Sequence, residues 1–249
     1  MQAYFDLPDR ESSSQVKDRI LRVSFAGCNF RCPSCNAPGL LEFKEDFLHD
    51  LKLMKQRIRE EAPYIDGVIF TGGEPTLQRQ ALIELSNLCR KLRLSIGLDT
   101  NGSKPGVIRT LLEMKLVDHI LLDIKAPRDE ELFQKTTRSK TFFLITRQII
   151  DDLRETLAVL KEHDTVELDV HTLIVPGLIY RKEDILAIAS LVDGLDCRWS
   201  LVAFSNQNGQ VLSKQFSNIR APTEKFLFQI RDYVLKKHPN LRISIVTGD

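Results

Sequence analysis

Apolar and polar residues follow two alternating patterns along the chain from Leu21 onward. Short stretches rich in aliphatic and β-branched residues are typical of strands, and longer segments with an apolar residue every three or four positions are typical of helices. The strand pattern covers residues 21–25, 67–71, 94–98, 119–124, 165–175 and 198–203, and the helix pattern covers residues 46–61, 78–92, 105–114, 146–161 and 181–192. Because strands and helices alternate, the sequence predicts a series of parallel βα units.

The predicted fold class is α/β, and a curved, partial (β/α)6 barrel fits the pattern best. Several strands are nearly continuous apolar runs, which is typical of a parallel sheet covered by helices. Periodicity alone also fits a flat, doubly wound sheet. A helix at residues 223–237 and a strand at residues 241–246 are expected at one edge. The sequence contains no repeat, low-complexity segment or Pro/Gly-rich linker, so residues 1–249 are expected to form a single domain.

Charge and composition narrow the classes of function. The chain has 35 basic and 34 acidic residues and a net charge of +1, so a nucleic-acid partner is not indicated. No apolar run approaches the roughly 20 residues that cross a bilayer, and the first ten residues lack the pattern of a signal peptide. We therefore expect a cytoplasmic protein with no membrane contact. In that compartment, three cysteines within eight residues indicate a metal site and not a disulfide framework.

The clustered cysteines are Cys28, Cys32 and Cys35, with C-x3-C-x2-C spacing directly after the first predicted strand. Three thiolates on one loop can hold three irons of a cubane cluster and leave the fourth iron open to a ligand. A zinc knuckle is the alternative, but zinc needs four ligands. His49, in a predicted helix, is a candidate for the fourth. The remaining cysteines, at positions 89 and 197, stand alone and are expected to be buried.

Polar residues also follow the predicted strands, at residues 72–74, 99–102, 123–125 and 176–177. In α/β barrels this edge of the sheet carries the chemistry. Paired glycines let a backbone approach a ligand closely, and Glu74 can accept a hydrogen bond from an ammonium group. Each segment also has a plainer interpretation: a tight turn, an Asn-Gly turn or an acidic helix cap. His171, on the fifth strand, also fits an ordinary core position.

The cysteine loop and the Thr71-Gly72-Gly73-Glu74-Pro75 segment together resemble the radical S-adenosylmethionine (SAM) superfamily over roughly residues 20–180. The resemblance implies a partial (β/α)6 barrel and a four-iron, four-sulfur cluster on the three cysteines, with SAM on the open iron. It also implies reductive cleavage of SAM to methionine and a 5′-deoxyadenosyl radical. The residues that it places around SAM are Gly72, Gly73, Glu74, Asp99, Asn101, Asp123, Lys125 and His171.

Individual roles follow from the same resemblance. Gly72, Gly73 and Glu74 would contact the methionine amino group, Lys125 the carboxylate, and His171 the ribose side, while the aspartates lie near a small cation. One residue departs from the superfamily pattern: Ser34 replaces the aromatic residue that commonly packs by the adenine. Because the other cysteines are not grouped, one cluster per chain is expected.

Within the superfamily, the segments from Cys28 to Lys125 resemble the activating proteins of glycyl-radical enzymes, that of anaerobic ribonucleoside-triphosphate reductase in particular. This implies a glycyl-radical enzyme as partner and an electron donor such as flavodoxin or ferredoxin. Asn36 stands where relatives of the reductase activator often carry histidine, which favours the alternative of a small-molecule or RNA substrate. A non-enzymatic iron–sulfur or zinc protein would leave the polar strand ends unexplained.

Overall fold

The structure is a computed structural model that describes residues 1–6, 16–17, 19–139, 141, 145–206 and 211–247. Within these ranges the strands are β1 (Gln2–Tyr4), β2 (Val16–Lys17), β3 (Ile20–Phe25), β4 (Leu48–Asp50), β5 (Gly67–Gly72), β6 (Ser95–Thr100), β7 (His119–Asp123), β8 (Glu167–Ile174), β9 (Arg198–Ala203) and β10 (Arg242–Val246). The helices are α1 (Leu51–Glu61), α2 (Arg79–Lys91), α3 (Pro105–Glu113), α4 (Glu130–Thr137), α5 (Thr146–Lys161), α6 (Lys182–Val192) and α7 (Glu224–Leu235).

The main sheet has the strand order β10-β9-β8-β7-β6-β5-β3-β2. All neighbouring pairs in it are parallel except β2 with β3. The prediction of six βα-type strands with a C-terminal helix and edge strand is confirmed, because β10 follows α7 and pairs with β9. Among the described residues the two ends of the sheet do not pair with each other, so the barrel stays open.

Alternating burial along the strands creates two different faces. On β8, Val170 and Ile174 are fully buried. His171 and Leu173 lie between them in the sequence, are only half-buried and line a cavity. Successive side chains of a strand point to opposite faces, so one face packs on helices and the other faces inward. The helix-side core includes the fully buried Trp199 and Phe70. None of the helices in the described ranges combines the length and apolar character needed to cross a bilayer.

Four predicted helices begin later in the structure than the pattern predicts, three of them by a single residue. The helix predicted from residue 46 begins at Leu51, because residues 48–50 form β4, which pairs antiparallel with β1. The Asp50 side chain caps α1 by accepting a hydrogen bond from the Lys52 N–H. His49 therefore lies on a strand, opposite Ala3, and not on a helix. The helix predicted from residue 78 begins at Arg79, after a 3-10 turn at Pro75–Gln78. Helix α4 was not predicted.

Candidate active site

A cavity of about 630 Å³ lies at the carboxyl edge of the sheet, between the cysteine loop and the ends of β5 to β9. This volume is in the ordinary range for a small-molecule site. The residues that the sequence predicts for the cluster and for SAM all line it: Cys28, Cys32, Cys35, Gly72, Gly73, Glu74, Asp99, Asn101, Asp123, Lys125 and His171. The folded chain thus brings together positions that are up to 143 residues apart in sequence, 28 to 171.

The cysteine loop leaves β3 and presents three free thiols to the cavity. Cys32 is buried, whereas Cys28 and Cys35 are half-buried. The Phe30 N–H donates a hydrogen bond of 3.4 Å to the Cys28 Sγ, and the Cys35 N–H donates one of 2.9 Å to the Cys32 carbonyl. Burial raises the pKa of Cys28 to about 11 and that of Cys32 to about 12. Both thiols therefore keep their protons at neutral pH until a bound metal displaces them.

The segment from Gly72, the last residue of β5, to Glu74 holds the cysteine loop by direct backbone contact. The Gly73 N–H donates to the Phe25 carbonyl at 2.8 Å, and the Glu74 N–H donates to the Gly27 carbonyl at 2.8 Å. A Cβ at Gly72, whose φ is +114°, would lie 2.3 Å from the Phe25 carbonyl oxygen, and one at Gly73 would lie 2.2 Å from that of Gly27. Such contacts exclude any side chain. The glycine pair therefore shapes the cysteine loop, a role that the sequence motif does not reveal.

Two other segments hold the far side of this loop. Leu212 and Ser213 donate their backbone N–H groups to the carbonyls of Cys35 and Pro33, both at 3.0 Å. The Arg31 N–H donates to the carbonyl of Thr137, at the end of α4, at 2.8 Å. The loop is thus anchored on several sides, which fixes the positions of its sulfurs.

Glu74 is completely buried, and its carboxylate accepts hydrogen bonds from two neighbouring segments. Its Oε1 accepts from the Oγ1 atoms of Thr76 and Thr100 at 2.5 and 2.7 Å and from the Thr76 N–H at 3.2 Å. Its Oε2 accepts from the Asn101 N–H at 2.7 Å. Burial raises the pKa of Glu74, although these bonds favour the carboxylate. The side chain joins the ends of β5 and β6.

Asn101 extends the connection to the cysteine loop. Its amide nitrogen donates to the Asn29 Oδ1 at 3.0 Å, and the Asn29 amide nitrogen donates to the Ser103 Oγ at 2.8 Å. The sequence gave no signal for Asn29 beyond its place between the cysteines. Its amide connects the cysteine loop to the residues that follow β6.

The ends of β6, β7 and β8 carry charged and ionisable groups. The Asp99 Oδ2 accepts a hydrogen bond of 2.8 Å from the Thr71 Oγ1, and Asp123 forms an ion pair with Lys125 through its Oδ2. Burial raises the pKa of Asp99. Burial alone would lower the pKa of Lys125, but the Asp123 carboxylate outweighs it and the net direction is upward. His171 lies opposite Asp123 in the strand register.

One oxygen in this group has no partner. The Asp123 Oδ1 is buried and forms no hydrogen bond with the described residues. Buried carboxylate oxygens normally have donors, so an orphaned one needs a specific explanation. Here it lies on a residue that lines the cavity, where a ligand can supply the missing donor or cation.

The thiols fit a cluster better than a single zinc ion. In the described part of the chain, no three His, Cys, Asp or Glu side chains are arranged around one metal position. Thiolates of a cubane bind different irons and do not converge on one point, whereas zinc ligands do. Cys89 and Cys197 are buried in the core, as expected, and His49 is in the β1–β4 ribbon.

Several cavity residues were not singled out in the sequence. Arg22 and Ser24 line the cavity from β3, and Leu173, Val202 and Phe204 line it from the opposite end of the sheet. A signal for the first two was available, because they alternate with the buried Leu21, Val23 and Phe25. Period-two alternation places them on the inward face of the strand.

The parallel sheet and the three-cysteine loop at its carboxyl edge together define an α/β iron–sulfur enzyme as the class of protein. Residues 23–192 match the family model of the radical SAM superfamily. The chain belongs to the radical SAM superfamily, which uses a [4Fe-4S] cluster and SAM, and the cofactors predicted from the sequence are confirmed.

Two curated proteins and one solved structure are similar to this chain. A Methanocaldococcus jannaschii protein named, by inference, as a glycyl-radical enzyme activating enzyme is 27% identical over 229 residues, covering 89% of this chain and 87% of that protein. The pyruvate formate-lyase-activating enzyme of Clostridium pasteurianum is 32% identical over 180 residues, covering 70% of this chain and 69% of that enzyme. Among solved structures, Streptococcus suis SuiB bound to S-adenosylmethionine is similar with a TM-score of 0.65 and 15% identity, over 91% of this chain and 51% of SuiB. This chain spans about half of SuiB, and that likeness concerns the fold alone.

Proposed function

We propose that this radical SAM enzyme generates a glycyl radical on a partner enzyme. The observation that carries the proposal is the open side of the barrel. The cavity is lined from β3 at one end of the sheet and from β9 at the other, and among the described residues no strand joins those ends. A polypeptide loop can enter such an opening. The names of the two activating-enzyme relatives support the same class of reaction.

The roles of the cavity residues belong to this proposal. Cys28, Cys32 and Cys35 hold the cluster through their thiolates. When bound, the cluster would supply one electron for the reductive cleavage of SAM to methionine and a 5′-deoxyadenosyl radical; transfer of a hydrogen atom from the glycine Cα to that radical would give 5′-deoxyadenosine and the glycyl radical. An external one-electron donor of the flavodoxin or ferredoxin class supplies that electron.

The SAM contacts divide between backbone and side chains. The Gly72–Glu74 segment lines the site of the methionine amino group, and Lys125 lies near the carboxylate. Because the Glu74 carboxylate already accepts four hydrogen bonds from the protein, its main contribution is to hold that segment in position. Asp99, Asn101, Asp123 and His171 complete the polar wall.

An anaerobic reaction tests the proposal. Reconstituted protein, dithionite and SAM are mixed with a candidate glycyl-radical enzyme, and electron paramagnetic resonance and 5′-deoxyadenosine are followed together. The expected result is a doublet-like glycyl signal with deoxyadenosine formed in proportion. A small metabolite or RNA that accelerates cleavage and is itself modified, with no radical on any protein, would overturn the proposal.

That second outcome describes the alternative function, a radical SAM enzyme that acts on a small molecule or RNA. Asn36 favours it, because this residue lines the cavity at a position where relatives of the reductase activator often carry histidine. Replacing Asn36 by His tests whether this position selects the substrate. An unchanged radical yield with the protein partner indicates that position 36 does not select the substrate.

A further inference from the structure

Arg22 is a cation that lines the cavity without a partner. Its side chain lines the cavity from β3, and it forms no hydrogen bond or ion pair with any described residue. Lys125, the other cation among the described lining residues, is paired with Asp123. Arg22 is exposed, but unlike the exposed Arg19 and Arg198 its guanidinium forms no ion pair with the described residues. The guanidinium of Arg22 is therefore available to a ligand.

The position of Arg22 places it beside the open side of the barrel. It lies on β3, the last parallel strand at that end of the sheet, opposite Ile69 in register. Val202 and Phe204 reach the same cavity from β9 and the residues that follow it, near the other end. A molecule that enters between the two ends meets a charged donor on one side and apolar side chains on the other.

We propose that Arg22 binds the substrate, by donating hydrogen bonds to main-chain carbonyl oxygens of the glycine loop that enters the cavity. This inference rests on the proposed function. A guanidinium presents five N–H donors in a planar fork and cannot accept, so it suits carbonyl oxygens. A glycine segment has no side chains to keep its carbonyls away from the donor. Leu173, Val202 and Phe204 supply the apolar contact on the opposite wall.

Binding without turnover provides the first test. The probe is the neutral peptide acetyl-Ser-Gly-Gly-Gly-Ser-amide, titrated by calorimetry into cluster-loaded, unreduced protein with SAM present, so that no cleavage occurs. The expected result is binding to the parent protein and an affinity about tenfold or more lower in Arg22→Gln, since a hydrogen bond to a charged group is lost. Arg22→Lys keeps the charge but loses the fork, and its affinity should be intermediate.

The matched control is Arg19→Gln, three residues earlier and just before β3. Arg19 is exposed and paired with Asp66 at 2.7 Å, and it does not line the cavity. Its replacement should leave peptide affinity unchanged. Equal peptide affinity in parent and Arg22→Gln would overturn the inference. So would a loss of SAM affinity as large as the loss of peptide affinity, which would assign Arg22 to SAM, or no binding of the peptide to the parent.

A labelled peptide separates failure of this inference from failure of the proposed function. With the central glycine dideuterated at Cα and the protein reduced, deuterium should appear in 5′-deoxyadenosine, less of it with Arg22→Gln. Transfer by the parent at a rate that Arg22→Gln matches would reject the role of Arg22 and keep the proposed function. A peptide that binds in an Arg22-dependent way but never donates deuterium would reject the proposed function and keep a peptide-binding role for Arg22.

Discussion

At each end of the paired strands β7 and β8, a histidine lies opposite or beside an aspartate. The two aspartates differ in whether all of their carboxylate oxygens have hydrogen-bond partners. At the amino end, the His119 Nε2 lies 2.9 Å from the Asp169 Oδ2, and Arg198 donates to both Asp169 oxygens at 2.8 and 2.9 Å. At the carboxyl end, His171 lies opposite Asp123, whose Oδ1 has no partner among the described residues. Each end therefore has a histidine and an aspartate, but only the amino end forms a complete network.

This difference separates structural from functional polar groups. A buried carboxylate with all its donors in the protein stabilises the fold and has little left for a ligand. An orphaned carboxylate oxygen costs the folded state free energy, which a ligand can recover on binding. In α/β barrels the carboxyl face likewise carries function and the amino face stability. Four predictions test the contrast.

The largest effect is expected at the cysteine loop. Cys28→Ala, Cys32→Ala or Cys35→Ala should each abolish the cluster, because a cubane with only two thiolate ligands has two irons without a protein ligand. Chemical assay of the anaerobically reconstituted parent should give about four irons and four sulfides per chain, and the variants should approach background. Cys89→Ala and Cys197→Ala are matched controls that should load iron normally. Stoichiometric zinc without iron uptake would refute the cluster.

Replacing Asp123, whose Oδ1 has no partner among the described residues, should affect SAM binding more than stability. Asp123→Asn removes a buried charge that faces the ligand, so the dissociation constant for SAM, measured by calorimetry, should rise about tenfold to a hundredfold. The free energy of unfolding should change by less than about 1 kcal/mol, because losing the pair with Lys125 is offset by removing an unsatisfied charge. Unchanged SAM affinity would remove Asp123 from the site.

Replacing Asp169, in the network at the amino end of the strands, should affect stability more than SAM binding. Asp169→Asn replaces a carboxylate that accepts charged hydrogen bonds from Arg198, and the free energy of unfolding should fall measurably but modestly in chemical denaturation, because the Arg198 guanidinium is exposed to solvent. Its SAM affinity should stay within about twofold of the parent. If instead SAM affinity fell and stability did not, the division between the two ends of the strands would be wrong.

The smallest effect is a change in the pH dependence of stability. Burial alone would raise the pKa of Asp169, but its hydrogen bonds from Arg198 and His119 outweigh this and hold the pKa below the ordinary value. A lowered pKa stabilises the folded chain above the unfolded value of about 3.9, and this contribution is lost as the pH falls through the folded-state pKa. The parent should therefore lose stability below about pH 4 more steeply than Asp169→Asn in melts at matched pH. Parallel curves would contradict this.

The fold was predictable because its strongest signals are local. Continuous apolar strands and amphipathic helices predicted all seven parallel strands in the correct order, including the edge strand β10. Strand β4 could not be found this way, since Leu48–Asp50 is a strand only by pairing with β1. Helix α4 could have been predicted from its start signals, because Asp129 caps it and two glutamates follow in its first turn. Its eight residues were too few for a clear period.

The site was predictable as a set of residues but not as a set of contacts. Motif spacing and the resemblance to the superfamily identified eleven of the positions that line the cavity, because strand ends of a parallel sheet converge. It gave no sign that Gly73 contacts Gly27 or that Glu74 bonds to Asn101. Those contacts join segments far apart in the chain, and only the packed structure determines them.

The backbone bonds from Leu212 and Ser213 to the cysteine loop set an order of events during synthesis. The loop leaves the ribosome early, whereas these two donors follow β9 and are made late. Contacts between such distant segments also form slowly during folding. A stalled or shortened chain that ends before Leu212 carries the three clustered cysteines on a loop that lacks these two backbone hydrogen bonds. This support of the cysteine loop is therefore complete only after most of the chain has been translated.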